Sequence, residues 1–210
     1  MPTTPTSPTN PDPTPDLGPA AERMAALLSE VSDAQLSART PCASYVLGDL
    51  IDHVDRLSHA FALAATKDVG PNDSTGPSGD ASRLGPDWRS RLPARLTALA
   101  EAWRDPAAWQ GMTRAGGFDL PGEVAGLVAL NELTVHGWDI ARASDQPYEA
   151  DPATVRACMA FAAQAPAADA AAEAEKEKGL FGPVVDVPAD APPLDRLLGL
   201  TGRQPYWSPA

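Results

Sequence analysis

Only three histidines occur in the chain, at positions 53, 59 and 136, and one of them follows a carboxylate by four residues. Glu132 and His136 at that spacing share one face of a helix and can reach a single ion together. The ladder Val128, Glu132, His136, Ile140 turns that face partly toward a core. A carboxylate and an imidazole buried there need each other, a proton or a metal, because burying them unpaired is costly. His53 continues another ladder, Val46, Leu50, His53, Leu57, and so lies on the buried side of a second helix. Two histidines and one carboxylate leave coordination positions open for water or substrate, as catalytic sites do, and accept zinc, nickel or ferrous iron. The residues alone leave two readings open: this ligand set, or a hydrogen-bonded Glu–His pair beside a core histidine. Asp139, three residues beyond His136, can accept the second imidazole N–H and fix its tautomer, or can be an exposed helical carboxylate. His59 is turned about 240° from His53 and, beside Asp52, Asp55 and Arg56, reads as solvent-facing.

Other chemistries fail for want of residues. The chain has no G-x-S-x-G elbow, P-loop, G-x-G-x-x-G or H-E-x-x-H motif, and no E-x-x-H pair of the di-iron kind. Cys42 and Cys158 cannot make a disulfide framework or a zinc knuckle. Cys42 precedes a predicted helix, where a thiol pKa can be lowered, but a buried structural thiol is the preferred reading. Trp88 and Trp138 read as core aromatics, and Tyr45 and Trp138 are the candidate walls of any cofactor pocket.

Helices must position these side chains. The first is expected from near Pro19, with Met24, Leu27, Leu28 and Val31 at three- and four-residue steps. Ser44 is a plausible cap for a second helix carrying Leu47, Leu50, Ile51, Val54, Leu57 and Phe61. Residues 67–87, rich in Gly, Pro, Ser and Asp, read mostly as a surface loop. A third helix shows Trp88, Leu92, Leu96, Leu99 and Trp103, with a kink or a start at Pro93. Gly116 and Gly117 suggest a hairpin or irregular loop before a fourth helix at 121–144. A fifth helix is expected at 152–164, weak helical content at 167–178, and one or two turns at 194–200. No segment alternates as a strand does, so the expected class is mainly α: a helical bundle with a short appended C-terminal segment.

The 28 acidic against 16 basic residues give a net charge of −12, which argues against nucleic acid and anionic membrane as partners. Hydrophobic residues make up 43% of the chain, enough for a real core. The longest apolar runs are seven residues, too short to span a bilayer. Residues 1–16 hold six prolines and five threonines and read as a disordered tail rather than a secretory signal. A cytoplasmic protein with a small-molecule substrate, monomeric or homodimeric, is expected.

Two stretches carry a resemblance. T-P-C-A-S-Y-V-L-G-D-L-I-D-H, ending at His53, and N-E-L-T-V-H-G-W-D-I-A-R-A-S, residues 131–144, resemble signatures of the DinB-like metal-binding superfamily. The nearest branch is the actinobacterial one related to the N-terminal domain of mycothiol-dependent maleylpyruvate isomerase. The ending F-G-P-V-V-D-V-P with L-D-R-L-L-G-L-T-G-R is similar to the tail of a metal-binding subfamily. The resemblance covers residues 17–207. It implies a four-helix bundle holding one divalent ion, zinc first, on His53, Glu132 and His136, and a thiol co-substrate such as mycothiol. On that footing residues 1–16 are the tail, 17–165 the metal-binding bundle and 166–210 a C-terminal extension packing on it. Tyr45 and Gly48 stand where the family usually has Trp and Arg. The isomerase's larger C-terminal domain has no counterpart here, so a related thiol transfer, addition or isomerisation is expected rather than maleylpyruvate isomerisation itself. The rival expectation is a non-catalytic module in which the ion only staples the bundle, or in which the bundle binds a ligand or serves oligomerisation.

Overall fold

The computed structural model describes residues 14–70, 78–164 and 181–209. Most of the proposed tail, part of the 67–87 loop and the Ala-rich 167–178 segment lie outside these residues.

The first helix, α1, spans Gly18–Ser29 with Pro19 in its opening turn, and α2 spans Leu47–Thr66. All six apolar residues of the expected α2 stripe are buried. Ser44 does not cap this helix. The Asp49 carboxylate accepts the Val46 N–H at 3.3 Å, so the helix starts at the following residue, one turn's reach before its own acidic side chain. Helix α3 runs Trp88–Ala102 with Pro93 inside it, so the helix precedes the proline rather than beginning at it.

A hairpin follows, β1 at Met112–Ala115 paired antiparallel with β2 at Phe118–Pro121. Its turn residues Gly116 and Gly117 both have positive φ, 59° and 86°, a conformation that matches the strand twist and that glycine adopts without strain. Helix α4 spans Gly122–Ala143, α5 Pro152–Ala162 and α6 Pro193–Leu200.

Helices α1 and α2 each pack against both α3 and α4, closing a four-helix bundle, while α5 packs on α4 and α6 on α5. The chain is therefore mainly α, with one small hairpin among the described residues. Leucines of all four bundle helices, among them Leu27, Leu50, Leu96 and Leu130, are essentially removed from water. Helix α4 is buried almost all round because α1, α2 and α5 cover it on different sides. No helix is long and apolar enough to cross a membrane among the described residues.

His59 is exposed as expected, and so is Arg56, but Asp52 and Asp55 on the same helix are buried. Both carboxylates are buried because arginines from later segments reach them. Arg83 Nη2 lies 2.9 Å from Asp52, while Arg91 Nη2 and Arg95 Nη1 lie 2.9 and 2.7 Å from the two oxygens of Asp55. The Asp55 pairs tie α3 to α2, and the Asp52 pair ties the turn before α3 to α2. Asp55→Ala is expected to cost about 2 kcal/mol, below the value for a fully buried pair because both arginines keep partial solvent contact. Urea unfolding would measure it, and a midpoint equal to wild type would contradict this role.

Candidate metal centre

Helices α2 and α4 face each other, and that contact brings His53 to Glu132 and His136. Glu132 Oε2 lies 3.3 Å from His53 Nε2 and 3.1 Å from His136 Nε2. The two imidazoles meet edge to face, with centroids 5.0 Å apart and planes at 85°. One nitrogen of each histidine and one carboxylate oxygen therefore converge within 4.8 Å of one another. A charge-assisted N–H to carboxylate bond usually closes to about 2.7–2.9 Å. Ligand atoms held about 2.0–2.1 Å from a shared metal sit roughly 3.0–3.4 Å apart, the spacing of Glu132 Oε2 from each of the two imidazole nitrogens.

The far side of His136 is also engaged. Its Nδ1 lies 2.9 Å from Asp139 Oδ2, so a proton on Nδ1 donates to that carboxylate and leaves Nε2 turned toward Glu132. Asp139 is wholly buried, which rules against the alternative of an exposed helical carboxylate. Solvent access is graded across the site: a fifth of the Glu132 side chain remains exposed and 13% of His53, against 9% of His136. The open side is therefore at Glu132 and His53.

Burial by itself would raise the Glu132 carboxyl, but the His136 charge and the hydrogen bonds of both histidines hold it well below the usual carboxylate range. Burial likewise opposes an imidazolium at His136, yet the Glu132 charge and the Asp139 hydrogen bond outweigh it and raise the imidazole to about 9. Metal-free, the pair is a stored ion pair in which a divalent ion would replace the proton.

Tyr45 stands over the site, its ring centroid 5.4 Å from that of His53 and tilted by 32°. Trp138 is elsewhere. Two residues past His136 it is turned about 200° around α4, and it packs with Val135 and Leu198 beneath α6.

Two neighbours carry no periodic signal in the sequence. Cys42 offers its sulfur within 4.8 Å of ligand-type atoms of His136 and Asp139. Its loop is held by the Tyr45 N–H donating to the Cys42 carbonyl at 3.0 Å and by the Thr40 hydroxyl between the Cys42 and Tyr45 carbonyls. This thiol is half-buried, and burial pushes its pKa up against the opposing charge of Arg203, the reverse of a helix-terminal thiolate. Arg203, from the segment after α6, places Nη2 3.1 Å from Asp139 Oδ2. Only its position in the tail resemblance marks it in the sequence. Cys158 lies apart, fully buried with its thiol pushed up to about 12 by burial.

A family model described as the mycothiol maleylpyruvate isomerase N-terminal domain matches residues 17–141, a span that includes Cys42, Tyr45, His53, Glu132, His136 and Asp139. Two curated relatives, both uncharacterized proteins of Mycobacterium tuberculosis, from strains CDC 1551 and H37Rv, are each 32% identical over 194 residues. Each alignment covers 88% of this chain and 93% of the relative. No solved structure matches the chain.

Proposed function

The chain belongs to the mycothiol maleylpyruvate isomerase N-terminal domain family, and from that footing we propose that His53, Glu132 and His136 hold one divalent ion, zinc before nickel or ferrous iron. The same site would handle a low-molecular-weight thiol of the mycothiol kind in a transfer, addition or isomerisation. The observation that carries this reading is one Glu132 oxygen at metal-ligand spacing from both imidazole nitrogens, with the second nitrogen of His136 already held by Asp139.

When bound, the ion supplies Lewis acidity that lowers the pKa of a coordinated thiol toward neutrality. The chain's own residues do the rest. Glu132 contributes the single negative charge of the ligand set and marks the solvent-facing entrance. His136 presents Nε2 because Asp139 takes its other N–H. Tyr45 packs its ring against His53 and offers an aromatic wall to whatever enters.

Metal-loaded protein is expected to bind a mycothiol-type thiol in calorimetric titration, with binding lost in the metal-free protein and in His53→Ala. Equal binding with and without metal would contradict the role given to the ion. A second reading, in which the ion only staples the bundle, draws on the fact that the ligands come from two facing helices. Metal that raises the unfolding temperature while no thiol binds would favour it.

A further inference from the structure

We propose that Arg203 is a positioning residue of the metal centre: its guanidinium clamps both oxygens of Asp139, and Asp139 thereby holds His136 with Nε2 toward Glu132 and His53. The inference rests on the metal reading above.

Asp139 Oδ2 receives both Arg203 Nη2 at 3.1 Å and His136 Nδ1 at 2.9 Å, and Arg203 Nε approaches Oδ1 at 3.4 Å. A carboxylate held only by the imidazole could turn about its own axis. The planar fork on its two oxygens removes that freedom and fixes the acceptor that His136 sees.

The fork is itself held from behind. Arg203 N–H donates to the Leu198 carbonyl at 2.8 Å, and Nη1 donates to the Thr201 carbonyl at 2.9 Å. Helix α6 is seated by close backbone approach. A Cβ on Gly199 would lie 2.7 Å from the Val185 carbonyl oxygen and one on Gly202, at φ 79°, 2.9 Å from Gly182. The Val185 N–H donates to the Gly199 carbonyl at 2.9 Å across the same contact. The chain thus delivers Arg203 to Asp139 along one route, and only 13% of its side chain meets solvent. A surface arginine with an incidental ion pair would need none of this support.

The test is zinc affinity, by competition with a chromophoric chelator, in wild type, Arg203→Met, Arg203→Lys, Asp139→Asn and the Arg203→Met/Asp139→Asn double variant. Arg203→Met is expected to bind about 10-fold more weakly, the low end for loss of an outer partner, with Arg203→Lys in between. The double variant is expected to bind no more weakly than Asp139→Asn alone, because Arg203 acts through Asp139. Visible bands of the cobalt-loaded protein, which report the ligand field, should shift in Arg203→Met. Wild-type affinity and spectrum in a less stable Arg203→Met protein would make the pair structural only and overturn the inference. Additive losses in the double variant would also overturn it. Should Arg203→Met not fold, Arg203→Lys decides: unchanged affinity and spectrum overturn the inference, and weakened binding supports it. A wild-type protein that takes up no ion would overturn the metal reading as well, whereas ion binding indifferent to Arg203 overturns only this step.

Discussion

Glu132→Gln is expected to weaken zinc binding by more than about 100-fold, since loss of even an outer hydrogen-bond partner costs 10–100-fold. Glutamine keeps the volume and one oxygen but removes the only charge that the ligand set brings to the ion. Both Nε2 atoms lie against the same oxygen, so the substitution removes the charge that both imidazoles face. Chelator competition measures the effect. Unchanged affinity would place the ion elsewhere, with Cys42, His136 and Asp139 as the other group of ligand-type atoms among the described residues.

The metal-free protein is expected to lose stability as pH rises from about 6.5 to about 9. His136 is raised from 6.5 to about 9 in the folded state, so over that window the folded chain binds a proton that the unfolded chain has already released. The stabilisation is complete below 6.5, falls away as pH passes through 9, and amounts to at most about 3 kcal/mol. Glu132 acts at the other end: its depressed pKa contributes stability above 4.5 that is lost as acid protonates it. Metal changes the alkaline limb, because a ligating imidazole has already given up its proton. Denaturant unfolding of the metal-free and zinc-loaded protein between pH 6 and 9.5 measures both. A metal-free protein as stable at pH 9 as at pH 6.5 would contradict the stored ion pair.

The bundle was legible because apolar residues repeat at helical steps: in α2, Leu50, Val54, Leu57 and Phe61 do so and all end in the core. Glu132 and His136 stood out because four-residue spacing fixes their shared face. That His53 meets them depends on α2 packing against α4, which periodicity suggests but does not dictate. The burial of Asp52 and Asp55 has no signal in α2 itself, because burial of a carboxylate depends on cations that arrive from elsewhere, here Arg83, Arg91 and Arg95. Arg203 and Cys42 sit in irregular segments, where spacing carries no orientation, and only the folded chain brings them to His136 and Asp139. Ser44 failed as a cap because a competing side chain, Asp49, reaches the same backbone group. Trp138 shares α4 with the site but faces the opposite side.

Metal content by mass spectrometry, on protein purified without a histidine tag and beside His53→Ala and Glu132→Ala, decides whether these side chains hold an ion. About one ion per wild-type chain is expected, as a three-residue site with open positions requires, and its loss in both variants. A wild-type protein that takes up no ion even after reconstitution would contradict it, and the three side chains would then be a buried hydrogen-bonded cluster joining α2 to α4.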